Sequence, residues 1–365
     1  MQNGLHRICC AALMAGAALI ASGPESWAGD KKTKNDPLVS EGGLKYFVRE
    51  PNKKRYQNAP LMIMLHGTGG GFAYFEGWIA ACMKKGYVIV TPESSGCGTP
   101  ASGNFNNDDQ KRWDSVDIPN VISLVKEIAN KYNVDRRRVC ILGFSNGAYY
   151  ATRIGLGAPE VFQSVVCIAG GIGGRGWTDQ SRDLGVYIIH GTADTSVPVD
   201  KGKSLADQLE ADGFKHVIYR EFPGRDHETF PEEAQPCLEW LETQKKAFTP
   251  GSNETLDWLT PEKGRESLAT EGKKGLLYFF GAKDAESDLV LHAELGIFAE
   301  LQVIEAAKDL VCMKADRDQS AELVKQFGVK GPVILLVDPS LKVVERIDKW
   351  CTPADFAAKL KKLGK

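Results

Sequence analysis

Long apolar runs are scarce in this 365-residue chain. The one near the N-terminus, ICCAALMAGAALIA after Arg7, is too short for the roughly 20 residues that a membrane-spanning helix needs. It ends in polar residues, and Ser26-Trp27-Ala28 then offers small side chains where a signal peptidase reads. Residues 1–28 are therefore expected to be a signal peptide cleaved after Ala28, giving a secreted or periplasmic protein with no membrane span in the mature chain. A mitochondrial-type presequence would carry more arginine. No lipobox follows the run, because Cys9 and Cys10 stand at its start. An excess of one charge is also missing: 45 Lys and Arg face 47 Asp and Glu, which excludes nucleic acid and acidic membrane as expected partners. No C-x-x-C occurs, which argues against a dithiol redox site or a zinc ribbon. No internal repeat and no low-complexity tract is found.

Seven cysteines remain beyond the leader, an odd number, so at least one is unpaired within a monomer. Cys140, Cys167 and Cys312 lie in apolar strand-like runs and read as buried hydrophobes. Cys82, Cys97, Cys237 and Cys351 are left as candidates for pairing, in no specified combination.

Apolar residues at 43% and charged residues at 25% describe a globular chain, and the length favours two domains. After a short linker (29–42), strand-like runs alternate with helical segments: LKYFVRE, PLMIMLHG, GYVIVTPES, RRVCILGFS, SVVCIAGG, VYIIHGTAD and HVIYREFP. Helices are expected at 75–85, 115–132, 146–155, 202–213 and 231–246. Near-continuous apolar strands separated by helices predict an α/β domain over 43–247, with a mostly parallel sheet buried on both faces. The polar segment 96–112 follows a strand end and is placed to shape a site rim, with Trp113 and Trp177 beside it. AFTPGSNE then reads as a linker (248–254). A smaller alternation fills 255–365: helices near 261–271, 293–307, 320–327 and 352–363, with the strands KGLLYFFG, LVCMKAD, VILLVDP and LKVVERI.

In RVCILGFSNGAYYA an apolar strand turns on Gly143 and Gly147 around Ser145 and continues as a helix. With 38 glycines in the chain a G-x-S-x-G pattern also arises by chance, so its context has to carry it. A strand that reverses sharply into a helix leaves no room for side chains at the two glycines and pushes the central hydroxyl out above the sheet, as in a nucleophile elbow.

A serine hydroxyl needs a histidine to take its proton, and the histidine needs a carboxylate to fix its tautomer. On such a sheet these follow in the chain order Ser, Asp or Glu, His, at strand carboxyl ends. His216 precedes its strand and so lies at the wrong end, and His292 belongs to the second domain. His227, in PGRDHETF directly after a strand, is the expected base. Asp194, just beyond VYIIHG in a turn closed by Pro198, is the expected acid. Asp200 is the runner-up, more suited to opening the next helix, and Asp226 stands too near His227 in sequence to orient it.

Acyl transfer also needs donors for an oxyanion. The amide of Asn146, after the nucleophile, is one candidate. Thr68 and Gly69, in the glycine-rich turn after LMIMLHG, are the others. No lysine follows those glycines as a phosphate-binding P-loop requires. His66 and His190, each before a glycine at a strand end, are expected to hold loop geometry.

Together LHGTGGG, WDSVDIPNVISLVKEIANKYNVDRRRVCILGFSNGAYYA, HGTADTSVPV and GRDH resemble the α/β-hydrolase superfamily, within it esterases related to polyhydroxybutyrate depolymerases and feruloyl or acetylxylan esterases. The resemblance covers about Gly43 to Lys246. It implies a serine esterase acting on small-molecule or polymeric esters, with no metal and no organic cofactor, and a structural role for Asp114 and Asp117. Such relatives often carry glycine where Ala148 stands. A prolyl-oligopeptidase-type peptidase usually adds a large propeller domain, which this sequence does not contain. A non-catalytic binding protein on a hydrolase shell is the other alternative, expected to lose a triad member. Residues 255–365 resemble a thioredoxin fold without its C-x-x-C, read as redox-inactive and as a possible docking module for a protein partner. That resemblance implies a cis bond at Gly331-Pro332.

Overall fold

The structure is a computed structural model that describes residues 37–51, 58–96, 112–132, 134–171, 174 and 177–364. The expected signal peptide lies outside these residues, as do Cys97 and nearly all of the expected rim 96–112.

Eight strands form the larger sheet: Leu38–Val39 (β1), Lys45–Arg49 (β2), Ala59–Leu65 (β3), Val88–Pro92 (β4), Val134–Phe144 (β5), Ser164–Ile168 (β6), Gly185–Gly191 (β7) and His216–Phe222 (β8). Their order is β1-β2-β4-β3-β5-β6-β7-β8. The pairs β1–β2 and β2–β4 are antiparallel and every other pair is parallel. This is the mostly parallel sheet that the sequence predicts, with two antiparallel pairings at one edge. The stretches Leu61–Leu65, Val139–Leu142, Val165–Ile168 and Val186–Ile189 are apolar at every position because both faces of the sheet are covered. Along β3, Leu61, Ile63 and Leu65 face one core and Met62 and Met64 the other. In β5, Val139 and Ile141 alternate with Cys140 and Leu142 in the same way.

Helices Asp117–Lys131 (α2), Asn146–Gly157 (α3) and Asp200–Ala211 (α5) cover the first face; Glu76–Lys85 (α1) and Ala234–Thr243 (α6) cover the second. A short helix, Asp179–Arg182 (α4), precedes β7. Among the described residues no helix is long and apolar enough to cross a membrane.

The smaller sheet comprises Trp258–Leu259 (β9), Gly275–Phe280 (β10), Val311–Asp316 (β11), Val333–Val337 (β12) and Val343–Ile347 (β13), in the order β13-β12-β10-β11-β9. Strands β9, β11 and β10 run parallel, and β12 and β13 are antiparallel additions. Around it lie Pro261–Glu271 (α7), Asp288–Leu295 (α8), Leu301–Ala307 (α9), Ala321–Gln326 (α10) and Pro353–Gly364 (α11).

Several sequence expectations change here. The single helix expected over 293–307 is two, broken at Gly296. That glycine lies against the Arg136 side chain of β5, where an added Cβ would sit 2.7 Å from Nε and push the guanidinium aside. No described peptide bond is cis, so Gly331–Pro332 is trans. Cys82 and Cys237, candidates for pairing, are free thiols buried in one core cluster with Cys140, and Cys351 is also free. The 248–254 segment is held down. The Glu294 carboxylate accepts from the amides of Gly251 (2.6 Å) and Asn253 (3.1 Å), and Lys314 Nζ donates to the Gly251 carbonyl.

Where the sheets meet, the Arg137 guanidinium lies between the buried Asp135 carboxylate (2.9 Å) and Glu286 (3.0 Å), and Lys245 also reaches Glu286 at 2.8 Å.

Candidate active site

Ser145 sits at the junction of β5 and α3 with φ 55° and ψ −122°. A non-glycine residue there is strained by about 1–3 kcal/mol and persists only where its surroundings impose it. Here they do. A Cβ on Gly143 would lie 2.1 Å from the Gly147 carbonyl oxygen, and one on Gly147 would lie 2.2 Å from that of Leu65. The Ser145 amide donates to the Ile168 carbonyl at 2.9 Å, tying the turn to β6. Ala148, which replaces a common glycine, is accommodated by Gly170, where a Cβ would come within 2.5 Å of the Ala148 methyl carbon.

Sheet register sorts the histidines. Cys140 pairs with Ser164, Ser164 with Gly185, and Gly185 with His216, so His216 stands level with the start of the apolar run, far from Ser145. His292 is buried in α8 of the smaller sheet's layer. His227 follows β8 at the same end as Ser145. Its ring lies on the ring of Phe144, centroids 4.7 Å apart.

His227 Nδ1 donates to Asp194 Oδ2 at 2.8 Å. That contact fixes the tautomer with Nε2 unprotonated, so Nε2 is the nitrogen able to accept a proton. Asp194 has a side chain with no solvent exposure, and its Oδ1 accepts from the amides of Ser196 (2.9 Å) and Val197 (2.7 Å). Asp200 instead begins α5 and pairs with Lys201. The Ser145 hydroxyl makes no hydrogen bond among the described residues. In ligand-free enzymes such contacts are often long and tighten only once substrate is bound.

Asn146 begins α3, and its amide is one of the donors that a first helical turn leaves without an intrahelical partner. Thr68 and Gly69 are exposed in the turn after β3, where Gly69, Gly70 and Gly71 all have positive φ. Their amides make no hydrogen bond among the described residues, whereas the neighbouring Gly67 amide donates to the Tyr74 hydroxyl at 2.8 Å. The Gly67 amide is thereby occupied.

The remaining histidines and aspartates act on loops. The Ser94 amide donates to His66 Nε2 (3.0 Å), so His66 Nδ1 carries the proton and donates to the Gly67 carbonyl (2.7 Å). His190 Nε2 donates to the Val197 carbonyl at 2.8 Å. Asp117, wholly buried, accepts from the amides of Ser95 (3.1 Å) and Asp114 (2.9 Å), joining the end of β4 to the start of α2. Trp113, expected at the rim, is 3% exposed; its indole nitrogen donates to the His66 carbonyl and its amide to Asn146 Oδ1. Its packing against the His66 ring draws it under the site. Trp177 is half-buried against Phe214.

Three contributors were not singled out from sequence. Asp226, read only as a poor orienter, accepts from the amides of Thr195 (3.0 Å) and His227 (2.8 Å) and so joins the loop of Asp194 to that of His227. These bonds hold its carboxyl below the usual range. Tyr74 packs on Phe144, accepts from Gly67, and through its carbonyl accepts from the Thr229 hydroxyl. Burial pushes its own hydroxyl up to about 12. Thr229 in turn receives the Trp78 indole on its carbonyl at 2.7 Å. Each bridges segments distant in sequence, so no local pattern announces it; the one available signal was the position of Asp226 beside His227.

Comparison with known proteins gives a consistent set. The model of the prolyl oligopeptidase family matches residues 73–184, which contain Ser145 but neither Asp194 nor His227. Poly(3-hydroxyalkanoate) depolymerase C of Paucimonas lemoignei is 29% identical, over 36% of this chain and 33% of its own. Acyl-protein thioesterase 1 of Yarrowia lipolytica is 25% identical over 54% of this chain and 97% of its own. The bifunctional acetylxylan esterase/xylanase XynS20E of Neocallimastix patriciarum is 24% identical over 62% of this chain and 34% of its own. The chain thus spans about a third of two of these relatives and nearly all of the thioesterase.

Proposed function

We propose that this protein is a serine hydrolase of carboxylic esters. The observation that carries it is the 2.8 Å contact between His227 Nδ1 and a buried Asp194, on loops beside a serine held at φ 55°. Ser145 Oγ attacks the ester carbonyl carbon while His227 Nε2 takes its proton. The oxyanion is held by the amide of Asn146 and by Thr68 or Gly69. Collapse of the tetrahedral intermediate expels the alcohol, protonated by His227, and leaves an acyl-Ser145. Water, deprotonated by His227, then attacks that ester; the acid leaves and the Ser145 hydroxyl is restored. Asp194 keeps His227 in the required tautomer and stabilises its cationic form.

The substrates proposed are acyl or feruloyl esters on polysaccharides, or polyesters, in line with what the similar depolymerase and acetylxylan esterase are named for. Export after cleavage near Ala28 fits polymeric substrates. The match to the prolyl oligopeptidase family favours a peptidase as the second reading. The smaller sheet is proposed as a thioredoxin-like domain over 255–365. Its order β13-β12-β10-β11-β9, parallel in β9, β11 and β10 with two antiparallel strands added, supports this; its trans Gly331–Pro332 bond does not. Without a C-x-x-C it cannot exchange disulfides, and a role in packing or in holding a protein partner is left to it.

The test is hydrolysis of p-nitrophenyl esters from acetate to octanoate, with prolyl p-nitroanilides alongside, by the wild type and by Ser145→Ala. Ester turnover lost in the variant is expected. Anilide turnover without ester turnover moves the assignment to the peptidase, and a folded protein inert to both moves it to a binding protein.

A further inference from the structure

Behind the acid stands a second imidazole. His190, in β7, is wholly buried, and its Nε2 lies 3.4 Å from Asp194 Oδ2, the oxygen that receives His227. The same Nε2 is 2.8 Å from the Val197 carbonyl. Both neighbours are acceptors, so the proton of His190 resides on Nε2 and is directed mainly at Val197 while leaning on Asp194. Val197 closes the ring, since its amide donates to Asp194 Oδ1 at 2.7 Å.

The other nitrogen, Nδ1, is buried with no hydrogen-bond partner among the described residues. Helix α5 closes that side at Gly202, where a Cβ would lie 2.5 Å from Nδ1. With that side closed, the ring keeps one orientation, its Nε2–H turned to Val197 and Asp194, and so steadies the carboxylate that receives the other imidazole.

We infer that His190 is a positioning residue for the hydrolytic centre, bracing Asp194 from behind through its Nε2–H so that the carboxylate's orientation serves His227. This rests on the proposed roles of Ser145, Asp194 and His227. A glutamine at 190 carries an amide nitrogen to the place of Nε2, whereas asparagine reaches only to that of Nδ1 and leucine carries no donor.

The experiment measures p-nitrophenyl ester hydrolysis by the full-length protein and by His190→Gln, His190→Asn and His190→Leu, with Ser145→Ala in parallel and a melting curve for each. Misplacing a catalytic group by an ångström costs up to about a hundredfold in rate. The expected result is a fall in kcat of about tenfold or more in the Asn and Leu variants with KM within about twofold, and Gln within about threefold of wild type. Equal activity in Asn and Gln, a wild-type kcat in Leu, or a loss confined to KM overturns the inference. If Leu does not fold, the Gln and Asn pair decides. Failure of Gln to fold as well assigns His190 to stability alone and also overturns it. A wild-type rate in Ser145→Ala would instead sink the hydrolase assignment itself, whatever the His190 variants do.

Discussion

The ring of His227 rests on the ring of Phe144, tilted by 36°, so the proposed base packs directly on the residue before the proposed nucleophile. Phe144 is in turn packed by Tyr74, which binds the glycine-rich turn and the loop of Thr229. One aromatic therefore sets the height of the histidine above the elbow. Replacing it removes that floor while leaving the Asp194 contact in place. Phe144→Ala is expected to lower kcat by about tenfold, with destabilisation of about 2–4 kcal/mol, and Phe144→Leu to do less of both. Steady-state kinetics and urea unfolding check this; an unchanged kcat in the alanine variant would mean that Asp194 alone fixes the ring.

The elbow makes a contrast within one helix. A methyl on Gly147 collides with the Leu65 and His66 carbonyls, whereas one on Gly157, at the end of α3, meets nothing within 4 Å. Gly147→Ala is expected to destabilise the fold by more than about 2 kcal/mol or prevent its formation. Gly157→Ala is expected to be neutral or stabilising by up to about 1 kcal/mol. Melting temperatures of the two variants distinguish these cases.

Asp194 and Asp226 both contact the histidine segment, in different ways. Asp194→Asn places an amide donor against His227 Nδ1 or loses the contact; if the imidazole answers by moving its proton to Nε2, it can no longer act as a base. A loss of kcat of up to about 10⁴-fold is expected. Asp226→Ala only unclasps Thr195 from the His227 amide, and a several-fold loss is expected, with Asp226→Asn close to wild type because its carbonyl oxygen still accepts. The Asp226 carboxyl is lowered by the Thr195 and His227 amides. Its contribution is accordingly complete above the unfolded carboxylate range and is lost as pH falls through the lower folded value. Activity between pH 5 and 8 should show no limb that Asp226→Asn removes, and a pH–rate profile of that variant tests it.

His292 offers a test of stability rather than activity. Burial, assisted by Arg136, lowers its imidazole to about 3. The folded state therefore binds no proton there between about pH 6.5 and 3, while the unfolded chain does. Stability should fall as pH falls below about 6.5, by up to about 2 kcal/mol at pH 5 from this group alone. In His292→Phe that part of the pH dependence should vanish. Urea titrations of both proteins at pH 7 and pH 5 measure the difference, and identical slopes would refute it.

Much of the larger sheet is legible because its strands are apolar on both sides: PLMIMLHG and RRVCILGFS can hardly be anything but buried, and the helices between them keep a clear period. The break at Gly296 is not legible. A lone glycine in a helical pattern gives no hint that Arg136 of another sheet presses on it. Nor does the sequence distinguish Cys82 and Cys237 as buried thiols, since their neighbourhood is made by α1 and α6 meeting across a core. Trp113 failed as a rim residue for a similar reason. Its anchors, His66 and Asn146, lie 47 and 33 positions away.

What the sequence determined by itself is local and one-dimensional: the strand–turn–helix about Ser145, the chain order of Ser145, Asp194 and His227, and the glycines that a tight turn requires. Those follow from sterics and periodicity within a few residues. Only the tertiary structure decided that Asp194 and His227 meet at 2.8 Å, that Asp226 and Tyr74 tie their loops together, and that a second histidine, His190, stands behind Asp194. Hydrogen bonds act over a few ångströms, and residues dozens of positions apart come within that range only once the sheet is assembled.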